Sequence, residues 1–115
     1  MNIAFTAKGK EWDSNIDPRF GRAEYILIYN DTNDEFTHFD NRQISEQAHG
    51  AGPQSARKLF ELQANVLITG NGPGGNAADV LSKFGLKIFV GAGEMTVKQA
   101  FEAFQENQLT EFINQ

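Results

Sequence analysis

The first half of the chain alternates between short apolar runs and polar turns, a pattern typical of β-strands. Residues 2–7 are mostly apolar and end just before Gly9, and residues 24–29 are rich in β-branched and aromatic side chains. Residues 30–34 have the composition of a turn, and residues 36–39 form a third run with two phenylalanines. The pattern predicts three strands, with the second and third joined as a hairpin.

The second half of the chain changes to a helical period. Apolar residues recur at intervals of three and four after Pro53, again over residues 77–84, and again after Thr96, which begins a segment with capping-box spacing. Continuous apolar runs at residues 66–69 and 87–90 separate these helices and predict buried parallel strands. The order βββαβαβα therefore predicts a single α/β domain that covers the whole chain.

Right-handed crossovers between these elements predict a five-stranded mixed sheet in the order 3-2-1-4-5, with helices on its faces. Strands one, three, four and five then point the same way. Their exit loops, residues 8–22, 41–52, 70–75 and 91–95, meet at one end of the sheet, where ligands of open α/β sheets bind. The predicted core contains the apolar residues of the helix faces and central strands: Leu59, Phe60, Leu67, Val80, Leu81, Phe84, Ile88, Phe101 and Phe104.

Composition narrows the function classes. The chain has 115 residues, a formal charge of -5 and no cysteine, which excludes disulfides, cysteine-ligated zinc or iron–sulfur centres and thiol nucleophiles. It has no lysine and arginine cluster, no apolar run of membrane-spanning length and no signal-peptide pattern at its first residues. We therefore expect a cytoplasmic protein with neither nucleic acid nor membrane as a partner.

Glycine and positive charge are concentrated in the predicted exit loops. Nine of the eleven glycines lie between Gly50 and Gly93. Four of the ten basic residues lie in the first exit loop, and they are Lys8, Lys10, Arg19 and Arg22. An otherwise acidic chain thus gathers flexible backbone and positive charge at one end of the predicted sheet.

The glycine-rich segment with Gly70, Asn71, Gly72 and Gly74 joins a predicted strand to a predicted helix. Backbone N–H groups and the positive end of a helix dipole can hold an anion at such a junction. The segment is not a Walker loop, because no Lys-Ser/Thr pair follows, and it does not follow the first strand as a dinucleotide fingerprint would. A tight turn that needs glycine for its backbone alone explains the segment equally well.

His49 precedes Gly50 and Gly52 at the start of the first predicted helix. An imidazole on a glycine-hinged loop can serve as a metal ligand or an anion contact, and the alternative is a surface loop with an incidental histidine. His38 lies within the third predicted strand, and we interpret it as a structural residue that packs across strands or lies at an edge.

The first exit loop places Phe20 and Gly21 between Arg19 and Arg22, so that an aromatic anchor lies between two guanidinium groups that suit carboxylate or phosphate-like ligands. The alternative is a loop pinned by Phe20 with solvated charges on either side.

The sequence offers few arrangements of residues that could carry out catalysis. The first strand has no carboxylate for a metal nuclease, and Ser14 has no nucleophile elbow. We therefore predict that the protein is not an enzyme.

Together these segments resemble the dinitrogenase iron–molybdenum cofactor biosynthesis family, the domain shared by NifX, NafY and the C-terminal part of NifB. The resemblance spans nearly the whole chain. It is carried by Ile3-Ala4, Ser14, residues 17–23 (Asp-Pro-Arg-Phe-Gly-Arg-Ala), residues 49–52 (His-Gly-Ala-Gly), residues 67–70, Gly72-Pro73, Gly85, Thr96-Val97 and Ala100.

The resemblance implies an RNase H-like fold and a non-enzymatic protein that transiently binds or carries iron–sulfur or iron–molybdenum cluster precursors, with cluster-assembly proteins as partners. Two other functions stay open, a small-molecule enzyme or binder that holds a phosphate-like anion and a protein-interaction module without a ligand. With the loop analysis, it predicts these ligand-binding residues: Ser14, Arg19, Phe20, Gly21, Arg22, His49, Gly50, Gly52, Gly70, Asn71, Gly72 and Gly74, with His49 as the metal ligand.

Overall fold

The computed structural model describes residues 1–113. Its strands are β1 (Asn2–Ala7), β2 (Tyr25–Asn30), β3 (Glu35–Asp40), β4 (Val66–Ile68), β5 (Lys87–Val90) and β6 (Thr110–Phe112). Its helices are α1 (Arg42–Ser45), α2 (Ala51–Glu61), α3 (Gly75–Lys83) and α4 (Val97–Gln105), and a 3-10 turn spans Phe20–Arg22. No helix within the described range is long and apolar enough to cross a membrane.

The strands form one mixed sheet in the order β3-β2-β1-β4-β5-β6. β1 pairs antiparallel with β2 and parallel with β4, β2 pairs antiparallel with β3, and β4 pairs parallel with β5. The predicted α/β class, the order of the first five strands and their directions are therefore confirmed. β1, β3, β4 and β5 point the same way, so their exit loops emerge at one end of the sheet.

The predicted number of five strands is wrong, because β6 pairs antiparallel with β5 and adds a sixth. β6 contains only three residues, with the sequence Thr-Glu-Phe, and so short a segment has no period by which to detect it. The strand covers what would otherwise be an exposed edge of β5.

Alternate residues of the sheet face two separate halves of the core. One face, which includes Phe5, packs against Val97 of α4. The other face, which includes Leu67, packs against Leu59 of α2 and Leu81 of α3. Because the central strands are buried on both faces, their sequences read as continuous apolar runs.

Two members of the predicted core lie at the surface instead. Leu59, Leu67, Leu81 and Ile88 are buried, and Val80, Phe101 and Phe104 are half-buried. Phe60 and Phe84, however, are 57% and 37% exposed, and their rings contact each other at a centroid distance of 4.3 Å. Phe60 follows Leu59 by about 100° around α2, which turns its ring away from the sheet.

The second exit loop is more ordered than a polar loop. Residues 41–52 contain α1, and α2 begins at Ala51 rather than at Pro53. Pro53 still lies in the first turn of α2, as predicted, where its missing N–H group removes no helical hydrogen bond.

Candidate functional site

A buried chain of hydroxyl groups ties the first exit loop to the centre of the sheet. The Thr6 hydroxyl donates to the carbonyl oxygen of Asp17 at 2.7 Å, and Thr69 Oγ1 lies 2.7 Å from Thr6 Oγ1. Thr6 has only one hydroxyl hydrogen, so Thr69 is the donor in the second bond. All three residues are buried. The chain of bonds fixes the loop after β1 to the ends of β1 and β4.

The loops after β1, β4 and β5 also touch directly, at Gly70. A Cβ atom on Gly70 would lie 2.5 Å from the Cα atom of Pro18 and 2.9 Å from that of Gly93, so only glycine permits this approach. The N–H group of Asn71 donates to the carbonyl oxygen of Pro18 at 2.8 Å. Gly70 and Asn71 therefore have a structural role in joining the loops.

A second close approach joins the turn at Phe20 to the start of α2. Gly21 has a positive φ of 42°, and a Cβ atom there would lie 2.9 Å from the Cα atom of Gly52. A Cβ atom on Gly52 would in turn lie 3.4 Å from the Cβ atom of Ala77 in the first turn of α3. Phe20 itself is buried in the core below. The first turns of α2 and α3 thus lie side by side.

The N-terminus of α4 is closed by hydrogen bonds. The N–H groups of Val97 and Lys98 donate to the carbonyl oxygens of Ser14 and Trp12, both at 2.9 Å. The N–H group of Gln99 donates to Thr96 Oγ1, and the Gln99 side chain accepts from the N–H group of Thr96. The predicted capping box is therefore confirmed, and no N–H group in the first turn of α4 is left without an acceptor.

The N-termini of α2 and α3 lack these hydrogen bonds. Their N-cap residues are Gly50 and Gly74, which have no side-chain oxygen, and neither helix has an acidic residue in its first turn. Five N–H groups have no acceptor within residues 1–113, and they belong to Ala51, Gly52, Gly75, Asn76 and Ala77. We call these two neighbouring termini the open helix ends. Each has a positive partial charge, which favours an anion.

Arg22 fixes the segment that leads to His49. Its Nη1 atom donates to the carbonyl oxygens of Ser45 and Gln47, at 2.7 and 2.6 Å. His49 is exposed, and it directly precedes the N-cap residue of α2. The structure therefore places an exposed imidazole beside one of the open helix ends.

Two other predicted site residues are engaged locally. Arg19 donates from its backbone N–H, Nε and Nη2 atoms to the carboxylate of Asp17, which is buried. The pKa of the Arg19 guanidinium is raised, chiefly by these side-chain hydrogen bonds. Ser14 Oγ accepts from the N–H group of Glu11 at 2.9 Å and closes a turn. Both side chains therefore serve first to order the loop.

Metal-binding side chains are scarce at this end of the sheet. Within the described residues, no three His, Cys, Asp or Glu side chains lie close enough together to hold a metal ion. His49 therefore belongs to no such group within the described residues and offers one imidazole as a donor. The donor set suits a metal cluster that brings its own ligands better than a bare ion.

The family model described as dinitrogenase iron–molybdenum cofactor matches residues 1–107. The chain belongs to this family. No protein of curated function matches the chain. The resemblance seen in the sequence, and with it the link to the nitrogenase cofactor, is thereby confirmed, and the RNase H-like classification stays a prediction.

Two solved structures resemble this family member at 33% sequence identity. The apo form of the orange protein from Desulfovibrio gigas has a TM-score of 0.92, and the match covers 98% of this chain and 93% of that one. A Thermotoga protein provisionally described as NifB, solved by NMR, has a TM-score of 0.83, with 98% and 97% coverage. Residues 1–113 therefore have the architecture of these two proteins.

Sequence reasoning missed the polar residues that hold the loops in place. Thr6 and Thr69 lie at the ends of apolar strands, and a polar residue at such a position is a signal that could have indicated them. Asn41 is also buried, and its Nδ2 atom donates to the carbonyl oxygen of Ala23 and to Ser55 Oγ. It ties the segment before β2 to α2, and nothing in the local sequence indicates this role.

Proposed function

We propose that this protein binds and carries an anionic iron–sulfur or iron–molybdenum cluster precursor, without catalysing a reaction on it. The observation that carries the proposal is the pair of open helix ends, where five N–H groups lack an acceptor within residues 1–113 beside an exposed His49. An anion held there receives hydrogen bonds and the favourable field of two helix dipoles. Family membership supports a cluster as this anion.

The cluster would be held mainly through its outer atoms. The chain has no cysteine, and the described residues offer no group of three metal-binding side chains. A cluster whose metals are already ligated by sulfide or thiolate needs no such group, and its anionic surface can accept hydrogen bonds from backbone N–H donors. Binding of this kind is reversible, which suits transfer to cluster-assembly proteins.

One further observation supports this function, and another bears on the compartment. The orange protein of Desulfovibrio gigas, which shares the architecture, is described in an apo form, and that description implies a ligand for that protein. The absence of cysteine is compatible with the reducing cytoplasm, which we propose as the compartment.

A simple phosphate-like anion is the second candidate ligand, because the same N–H groups would bind any compact oxyanion. His49 separates the two candidates. A neutral imidazole can replace one terminal ligand of a cluster metal, whereas it adds little to the binding of phosphate.

The experiment is an anaerobic titration of the purified protein with a synthetic thiolate-capped iron–sulfur cubane, which is a dianion. Inorganic phosphate is titrated in parallel. Wild type is compared with His49→Ala and with His38→Ala, a matched control on β3. We expect His49→Ala to lower the affinity for the cubane roughly tenfold and to leave phosphate binding nearly unchanged, with His38→Ala equal to wild type. Failure of wild type to bind the cubane contradicts the proposal.

A further inference from the structure

Phe112 of β6 lies directly against the glycine loop that leads into α3. A Cβ atom on Gly72 would overlap the Phe112 ring, and φ at Gly72 is not positive. The backbone conformation at position 72 is thus open to other residues, and it is the ring that requires glycine there. Phe112 is held in place by the pairing of β6 with Ile88 of β5.

The middle of this loop is held by packing rather than by backbone hydrogen bonds, and Pro73 is buried. Asn71 donates to Pro18, and Gly70 accepts from the N–H group of Gly91, so the start of the loop is fixed by hydrogen bonds. Within residues 1–113, Gly72 and Pro73 make no backbone hydrogen bond, and bonding resumes only where Gly74 accepts from Ala78. The course of the chain into α3 therefore depends on side-chain packing, and the contact of Phe112 with Gly72 is part of that packing.

We propose that β6 is a strap and that Phe112 is a positioning residue for the open end of α3. The ring fixes Gly72, and Gly72 is three residues from Gly75, the first residue of α3. Displacement of the ring frees the loop to move and turns the N–H groups of Gly75, Asn76 and Ala77 away from the first turn of α2. This inference rests on the proposed function, because it assigns Phe112 a role at the same anion-binding site.

The test is a double-mutant cycle of Gly72→Ala and Phe112→Ala, with Phe112→Tyr as the conservative variant and the neighbouring Ile113→Ala as a matched control. Ile113 is 68% exposed. Two quantities are measured where every variant is fully folded. They are the affinity for the thiolate-capped cubane and the amide hydrogen exchange of residues 74–77.

Either single substitution at Gly72 or Phe112 is expected to weaken cubane binding roughly tenfold and to speed exchange at residues 74–77, because a site that is loose by about 1 Å loses much of its affinity. The added methyl group of Gly72→Ala occupies part of the space that Phe112→Ala vacates. The double variant is therefore expected to bind more tightly than the sum of the two single losses predicts. Phe112→Tyr and Ile113→Ala are expected to match wild type.

The proposal is overturned if the affinity losses of the two single variants add without coupling. It is also overturned if the variants unfold more easily while their cubane affinity and their exchange at residues 74–77 stay unchanged. The exchange measurement decides this even without a ligand. If wild type does not bind the cubane but the exchange rates are coupled, the proposed function fails and the strap stands as a feature of the loop alone.

Discussion

The N-terminus of α4 differs from the N-termini of α2 and α3 in whether its first-turn N–H groups have hydrogen-bond acceptors. At α4, the N–H groups of Val97, Lys98 and Gln99 all have acceptors from Ser14, Trp12 and Thr96. At α2 and α3, glycine occupies the N-cap, and five N–H groups have no acceptor within residues 1–113. All three helices follow loops of the same sheet end, so position in the fold does not explain the difference.

The short helix α1 is intermediate between the two. Its N-cap residue, Asn41, makes no side-chain capping hydrogen bond, but the residue before it binds the first N–H group of the helix. Asp40 Oδ1 accepts from the N–H group of Arg42 at 3.0 Å, and the carboxylate also pairs with the Arg42 guanidinium. An N-cap side chain stabilises a helix by about 1 kcal/mol relative to alanine but only by roughly a few tenths of that relative to glycine, so the glycine N-caps of α2 and α3 cost little stability. The comparison separates a helix end whose N–H groups are used by the fold, at α4, from the open helix ends, where we propose that the anion binds.

The largest expected effect comes from breaking the contact that brings the loops together. Gly70→Ala places a Cβ atom 2.5 Å from the Cα atom of Pro18, and both backbones must move apart. We expect a loss of about 1–3 kcal/mol in the free energy of unfolding, measured in urea. Gly75→Ala is the matched control, because φ there is not positive and no atom lies within 4 Å of the added Cβ atom. Equal stability of the two variants would contradict the role assigned to Gly70.

A smaller effect is expected from opening the closed end. Thr96→Ala removes the acceptor for the N–H group of Gln99 and lowers the free energy of unfolding by about 1 kcal/mol. Thr96→Ser keeps the hydroxyl and is expected to remain close to wild type. Because α4 lies on the opposite face of the sheet from α2 and α3, affinity for the cubane should not change. A weaker cubane affinity of Thr96→Ala would contradict the claim that the N-terminus of α4 takes no part in binding.

The smallest effect concerns the carboxylate of Asp40, which accepts from the first N–H group of α1. Hydrogen bonds from the Arg42 side chain lower the pKa of Asp40 to about 2. A lowered carboxyl pKa contributes stability that is present above the ordinary carboxyl pKa and is lost as the pH falls through about 2. Wild type should therefore be slightly more stable than Asp40→Asn near neutral pH, and the difference should close on acidification. A difference in urea unfolding that is independent of pH would contradict this.

Features that depend on neighbouring residues could be predicted from the sequence, whereas contacts between distant segments could not. The capping box at Thr96 and the helix stop at Gly85, which has a φ of 68°, depend on neighbouring residues alone. Strand directions followed from the order of elements, and they located the meeting point of the exit loops. Helical period identified apolar residues on α2 and α3, but neighbours such as Leu59 and Phe60 lie about 100° apart around the helix, and the pattern does not show which of them faces the sheet. Phe60 and Phe84 were therefore predicted to be buried, although both lie at the surface.

The candidate site shows the same division. Glycine and arginine content indicated the correct end of the sheet, but the partners of individual groups depend on tertiary contacts. Arg19 pairs with the buried Asp17, and Arg22 binds carbonyl oxygens of the segment before His49. Which N–H groups lack an acceptor could not be predicted either, because two of the three acceptors at α4, Ser14 and Trp12, lie more than 80 positions earlier in the chain.

The most direct test of the central claim is to close the open end of α3. Gly74 has φ −65° and ψ 166°, and no atom lies within 4 Å of an added Cβ atom, so position 74 accepts a capping side chain. The side chains introduced by Gly74→Asp and Gly74→Asn can both accept hydrogen bonds from the first turn of α3. Each substitution should raise the free energy of unfolding by roughly a few tenths of a kcal/mol.

The decisive measurement is the affinity of these two variants for the thiolate-capped cubane. The aspartate places a negative charge where the anion would bind, so Gly74→Asp is expected to bind roughly tenfold more weakly than wild type, and Gly74→Asn, which carries no charge, is expected to fall between the two. Equal affinity of wild type and Gly74→Asp would show that the anion does not bind at the open helix ends and would contradict the account.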